Sequence, residues 1–178
     1  LAAAIAAARN EQNSMHEARR KIAAALRRAD LRGTVRFAVD ERGLTISIVT
    51  DRVFFLADRA DLQPGGRALL DAIAPALRDL PNPVSVEGHT NTVPVAPKYY
   101  PTEWELSSAR AVTVVRYLAE RRDVPSRRLQ ATGFADTHPL LPASDPRSST
   151  INRRVDIVVL STLTTEQRAA LAAVTEQD

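Results

Sequence analysis

Hydrophobic positions along the chain switch between two periods, and the switches mark the elements. From Leu1 to about Arg32, Ala, Arg, Glu, Gln and Leu dominate without Gly or Pro, and Ile22, Leu26 and Ala29 recur at helical spacing. This predicts a long helix, broken near Asn13-Ser14. Its first half has little apolar face, so a helix that packs on a partner and a solvated lead-in both stay open. Gly33 ends that pattern, and Val35, Phe37 and Val39 alternate with Arg36, Ala38 and Asp40. After the turn Asp40-Glu41-Arg42-Gly43, Leu44, Ile46 and Ile48 alternate again, which predicts a β-hairpin with one face toward a core. Phe54 and Phe55 stand in an otherwise polar connection and are expected to plug that core.

Pro64, Gly65 and Gly66 open a helix whose Leu69, Leu70, Ile73, Ala76, Leu77 and Leu80 form an apolar stripe; Pro75 inside it predicts a kink or a tightened last turn. Residues 84–89 read as a strand, with Val84, Val86 and Gly88 on one face and Ser85, Glu87 and His89 on the other. A long loop with Pro94, Pro97 and Pro101 follows. Thr102-Glu103-Trp104-Glu105 fits a capping box, and Trp104, Ala111, Val115 and Leu118 share a helical face that should run to about Arg122. Leu129 to Phe134 reads as a short strand and residues 135–150 as an irregular surface loop. Val155, Ile157 and Val159 mark a strand partly buried on both faces, and Thr164 caps a last amphipathic helix through Val174. This order predicts an α+β fold, a mixed sheet with helices packed on one side.

At 178 residues, 44% hydrophobic and 25% charged, one domain is expected. A net charge of +3 with one Trp, three Tyr and four Phe offers no base-stacking platform, so nucleic acid is not an expected partner. The lack of cysteine excludes disulfides, a thiol nucleophile and Cys-based metal sites. Leu1 to Ala8 is apolar but far shorter than the roughly 20 residues of a membrane helix, and lacks the basic start of a signal peptide. Its abrupt beginning inside an alanine-rich helical pattern reads as an excised fragment whose natural neighbour lies upstream.

Candidate chemistry gathers between Val86 and Leu118, where the strand end Gly88-His89-Thr90-Asn91, a helix N-terminus at Thr102 and Arg110 share one strand-loop-helix unit. Free backbone N–H groups and a guanidinium suit a carboxylate or phosphate. Arg110 lies off the Trp104 stripe, which leaves a solvated arginine and a ligand-binding one both open. A triad of His89 with Ser107 or Ser108 lacks a Gly-x-Ser-x-Gly elbow, and His89 reads better as a hydrogen-bonded structural residue. His89 and His138 lack a third metal ligand, so no catalytic, metal or cofactor site is expected. Alternation sends Arg153 and Arg154 to opposite faces, one closing the pocket and the other a solvated edge charge.

Val86-Glu87-Gly88-His89-Thr90-Asn91, Tyr100-Pro101-Thr102-Glu103-Trp104-Glu105-Leu106-Ser107-Ser108-Ala109-Arg110-Ala111, Gly133-Phe134 and Asn152-Arg153-Arg154-Val155 together resemble the OmpA-like peptidoglycan-binding domain. The Tyr-Pro-x-x-Trp-Glu-Leu-Ser stretch is most similar to the version in flagellar stator subunits of the MotB type. The resemblance covers roughly Arg32 to Leu160. It implies a two-layer sandwich that binds the diaminopimelate-bearing stem peptide of peptidoglycan noncovalently, without catalysis or cofactor. Thr90, Asn91, Leu106, Arg110, Arg153 and Arg154 become the peptidoglycan-binding residues, with Arg110 holding a carboxylate. Asn91 stands where the family carries an Asp that holds the ligand's ammonium or backbone.

On this reading residues 1–32 are a linker and first periplasmic helix, 33–162 the OmpA-like domain and 163–178 a C-terminal helix. The resemblance further implies a homodimer facing the cell wall, joined to a MotA-like subunit through an upstream inner-membrane helix absent from this sequence. The alternatives are another OmpA-like anchor, such as a lipoprotein or secretion-system subunit, and a wall hydrolase.

Overall fold

Five strands form one mixed sheet in the computed structural model, which describes residues 1–175. In chain order the elements are α1 (Ala2–Arg28), β1 (Val35–Asp40), β2 (Gly43–Val49), α2 (Pro64–Arg78), β3 (Val84–His89) and α3 (Glu103–Arg122). They are followed by β4 (Leu129–Gly133), the single turn α4 (Ser148–Ile151), β5 (Arg154–Leu160) and α5 (Thr165–Thr175). The strand order is β1-β2-β5-β3-β4, and β3 and β4, joined through α3, are the parallel pair. Rows of facing residues such as Ile46, Ile157 and Val86 run across the centre of the sheet. Met15, Ile22 and Leu26 of α1, Leu70, Ile73 and Leu77 of α2, and Val114 and Leu118 of α3 cover that face in one apolar core. Each such side chain contributes about 1.5–3 kcal/mol by leaving water. The architecture is thus the expected α+β sandwich.

Several local expectations differ. Helix α1 runs unbroken through Asn13 and Ser14, which point to solvent, while Ala8 and Met15 on its other side are buried. Its first half is held by Glu11, whose carboxylate accepts from Ser161 Oγ (2.5 Å), Thr162 N (2.7 Å) and Asn82 Nδ2 (3.2 Å). Trp104, grouped by spacing with Ala111 and Leu118, is 51% exposed, and Leu106, Ser107 and Arg110 take the buried positions of the first turns. Periodicity fixes the angle of a buried stripe, not where along the helix the sheet begins to cover it. Residues 135–150 include the start of α4 within the otherwise irregular loop. Phe54 and Phe55 do plug the core, edge to face with ring centroids 4.8 Å apart.

Helix α3 rests on the ends of β3 and β4 at glycines. A Cβ on Gly88 would stand 2.1 Å from the Ser107 carbonyl oxygen, and one on Gly133 2.1 Å from Ser108 Oγ. The buried Ser107 hydroxyl donates to Trp104 O (3.2 Å) and accepts from Ala135 N (3.0 Å), tying the helix to the chain leaving β4. Thr90 N donates to Ala135 O (2.9 Å) and Phe134 N to Gly88 O (2.9 Å), so both strand ends are fixed where the loops begin.

The opposite face of β3 and β5 is polar and closed by paired charges. Arg42 grips Glu87 through two hydrogen bonds (2.6 and 3.2 Å), and Arg154 Nε donates to Asp156 Oδ2 (3.0 Å). His89 lies between them, its ring stacked on Phe134 at 5.2 Å. It is not the hydrogen-bonded histidine expected: neither ring nitrogen has a partner, and Nε2 is 3.5 Å from Asp156 Oδ2. Burial, reinforced by the Arg154 guanidinium, pushes its pKa down to about 3, so the ring is neutral in the fold.

A Gly88→Ala substitution is expected to force α3 off the strand end and cost about 1–3 kcal/mol, read as a lower urea midpoint at unchanged m-value. His89 sets an acid limit. The unfolded ring takes its proton near 6.5 and the folded one near 3, so stability from this group is complete above 6.5 and drains away as the pH falls below it. The slope approaches about 1.4 kcal/mol per pH unit. Urea unfolding at pH 7 and pH 5 should show a smaller acid loss in His89→Phe than in the parent chain.

Candidate functional site

Four segments meet beyond the C-terminal end of β3: Thr90 and Asn91, the connection from Thr50 to Asp58, the first turns of α3, and Arg153 just before β5. They enclose a cavity of about 270 Å³. The capping box forms as the sequence requires, with Thr102 Oγ1 accepting from Trp104 N (3.1 Å) and Glu105 accepting from Thr102 N (2.8 Å). This cap fixes the start of α3 at the rim and so the direction in which Glu103, Leu106 and Arg110 point.

Arg110 is only 4% exposed. Its Nε donates to Arg59 O (2.9 Å) and its Nη2 to Leu56 O (3.3 Å), while the guanidinium lies over the Phe55 ring at 5.0 Å. These partners orient the charge without neutralising it, and among the described residues no carboxylate forms an ion pair with it. Burial, followed by repulsion from Arg153, draws its pKa down to about 10, which leaves it cationic at neutral pH. A buried, unneutralised guanidinium on a cavity wall is the arrangement that a bound anion completes.

Two further atoms of the wall lack partners. Thr90 Oγ1 and Arg153 Nε are buried without a hydrogen bond, each a cost of about 1–3 kcal/mol unless a bound molecule meets it. Glu103, at the first position of α3, has its carboxyl pushed up by burial, against the opposing pull of the nearby Thr90 hydroxyl and the Arg110 charge and with Asp58 and Asp136 adding to the rise. Asp58 Oδ2 accepts from Lys98 N (3.2 Å), and the Arg59 guanidinium covers the Tyr99 ring at 4.0 Å. Together they hold the proline-rich loop 91–101 against the connection after β2.

The structure brings Thr90, Asn91, Leu106, Arg110 and Arg153 to one cavity and leaves Arg154 outside it. Arg154 is neither a pocket residue nor a solvated edge charge. It is buried on the opposite sheet face, bound to Asp156, Asn152 O and His138 O. Ser107 and His89 are likewise separated by the sheet, since Gly88 faces Ser107 and alternation turns His89 the other way. Sequence reasoning missed Glu103, Asp58, Phe55 and Thr50 as cavity residues. Glu103 had a signal, an acid in the first turn of the helix beside the strand end. The β2–α2 connection had none, because only tertiary packing carries it under Arg110.

The OmpA family model matches residues 54–153 of the chain. The chain is 37% identical over 126 residues to the uncharacterised protein YtxE of Bacillus subtilis, covering 71% of this chain and 52% of that one. It is 34% identical over 135 residues to Motility protein B of Escherichia coli K12, covering 74% and 43%. The chain thus spans about half the length of these relatives. A MotB-like protein from Desulfovibrio vulgaris shares the fold with a TM-score of 0.75 at 24% identity, over 85% of this chain and 96% of that one. The cell wall anchor of the T6SS from Pseudomonas aeruginosa superimposes with a TM-score of 0.67 at 30% identity, over 79% and 96%. The glycine-seated helix and most of the cavity lining fall within the matched segment, and the chain belongs to the OmpA family.

Proposed function

We propose that this chain binds peptidoglycan noncovalently and anchors a flagellar stator to the cell wall, with no catalytic step. The observation that carries the reading is Arg110: a buried guanidinium held by neutral carbonyls beside the unpartnered Thr90 Oγ1 and Arg153 Nε. The shape and charge of that wall suit a peptide carboxylate of the stem peptide, and Asn91 and Leu106 line the same cavity. Arg154 is left to hold the sheet. The stator assignment is supported by the 34% identity to Motility protein B. In the whole protein we place residues 33–162 as the wall-binding unit on the periplasmic side. Residues 1–32 lead from an inner-membrane helix shared with a MotA-like subunit, and 163–178 form a C-terminal extension. Two such chains in a homodimer give the anchor two attachment points, which raises avidity without new contacts.

A second reading, an anchor for a secretion system, is favoured by one observation, the 30% identity to the T6SS cell wall anchor. It uses the same cavity and differs in the upstream partner. Motility rescue of a strain lacking its stator wall anchor, by this chain fused to that protein's membrane segment, separates the two.

Co-sedimentation with purified peptidoglycan sacculi tests the binding itself. Arg110→Ala is expected to weaken it roughly 10- to 100-fold, the loss of one charge-assisted contact, with a melting curve recorded alongside to confirm folding. Arg154→Ala should instead lower stability first. Release of soluble muropeptides during the incubation would contradict the non-catalytic reading.

A further inference from the structure

The cavity holds charges of both signs that do not pair with each other. Glu103 and Arg110 line the same space, yet among the described residues Glu103 forms no ion pair, although the nearby Thr90 hydroxyl and the Arg110 charge both favour its ionised form. On the opposite sheet face the buried carboxylates Glu87 and Asp156 are matched by Arg42 and Arg154, whereas Asp58, the other acid nearest Glu103 in this cavity, accepts only from the Lys98 backbone N among the described residues. An unpaired acid in a cavity built only for an anion would repel the ligand and weaken the site. Its place at the helix N-terminus accounts for a carboxylate there. It does not account for one whose protonation is favoured by burial and by Asp58 facing the same space. The neighbouring strand-end position is Asn91, which supplies hydrogen bonds and no charge.

We propose that Glu103 is the acid that pairs with an ammonium group of the bound ligand, opposite the carboxylate held by Arg110, so that the cavity selects a zwitterion. This rests on the peptidoglycan reading and adds to it a specificity-determining residue on α3 rather than on the strand end. A ligand with a free amine beside its carboxylate satisfies Glu103 and Arg110 at once, and each charge then loses the penalty of standing alone. A ligand whose amine is acylated meets only the arginine side and leaves the Glu103 carboxylate desolvated.

Isothermal titration of the whole chain with meso-diaminopimelate and with its N,N′-diacetyl derivative tests this, with sacculus co-sedimentation in parallel. The parent chain is expected to prefer the free diamine by about ten-fold or more, the scale of one charge-assisted contact. Glu103→Gln, which breaks no ion pair and keeps an oxygen facing the Thr90 hydroxyl, should fold normally and bind both compounds alike. Adding Asn91→Asp to Glu103→Gln should restore part of the preference, since position 91 borders the same cavity. Retention of the full preference by Glu103→Gln would overturn the assignment of Glu103 while leaving wall binding intact. Equal binding of both compounds by the parent chain would overturn the zwitterion selection itself. Failure of the parent chain to bind either compound or sacculi would instead overturn the peptidoglycan reading, and this inference with it.

Discussion

Helix α3 lies where it does because nothing projects from Gly88 or Gly133. With a side chain at either position the Ser107 carbonyl or the Ser108 hydroxyl would stand within 2.1 Å of a Cβ, and the helix would have to lift. Much of the site follows from that seat. It sets the height of Arg110 over the strand end and brings the capped first turn and Glu103 to the cavity rim. It also lets the Ser107 hydroxyl lock the chain that leaves β4. At Gly88 the contact is with helix backbone, and at Gly133 with the Ser108 hydroxyl and backbone N, so the seat leaves little room for adjustment; interiors packed this closely respond to added volume.

The two faces of the central strands treat charge in opposite ways. On the outer face Glu87 and Asp156 are each met by a guanidinium, and His89 between them is kept neutral by burial. That layer is closed in itself and has no charge left to offer. At the cavity Arg110 is gripped only by carbonyls, and Arg153 and Thr90 keep atoms unbonded. Buried charges are tolerated when paired and costly when not, so the unpaired set marks a cavity wall at which the fold forgoes stability. The same contrast explains why Arg153 and Arg154, adjacent in sequence, do unrelated work. One step of the chain, from Arg153 just before β5 to Arg154 at its start, separates a cavity wall from a sealed structural pair.

Helix α1 and the loops play a supporting part. Although its first half shows little apolar face in sequence, Glu11 reaches the end of β5 and Ala8 and Met15 close on the protein. Small residues such as alanine give a weak hydrophobic signal in sequence yet permit close helix contact. The proline-rich loop 91–101 has no regular structure, and the Arg59–Tyr99 stack and the Asp58–Lys98 bond hold it beside the cavity.

The order of elements was legible in the chain because it is written in local periodicity: Leu44, Ile46 and Ile48 alternate, and Leu69, Leu70, Ile73 and Leu77 recur at helical spacing. The capping box at Thr102 and the core role of Phe54 and Phe55 were likewise readable, and the motif resemblance singled out Thr90, Asn91 and Arg110. Sequence left undecided which of Arg153 and Arg154 faces the cavity, whether Arg110 is solvated, and whether α1 docks. Nothing in it tied Phe55 and Asp58 to the site. Those depend on strand order and on the meeting of segments dozens of residues apart, such as Arg110 with Leu56 and Arg59. Period and propensity are properties of neighbours in the chain. Burial of a charge is a property of neighbours in space, and only the packed structure assigns it.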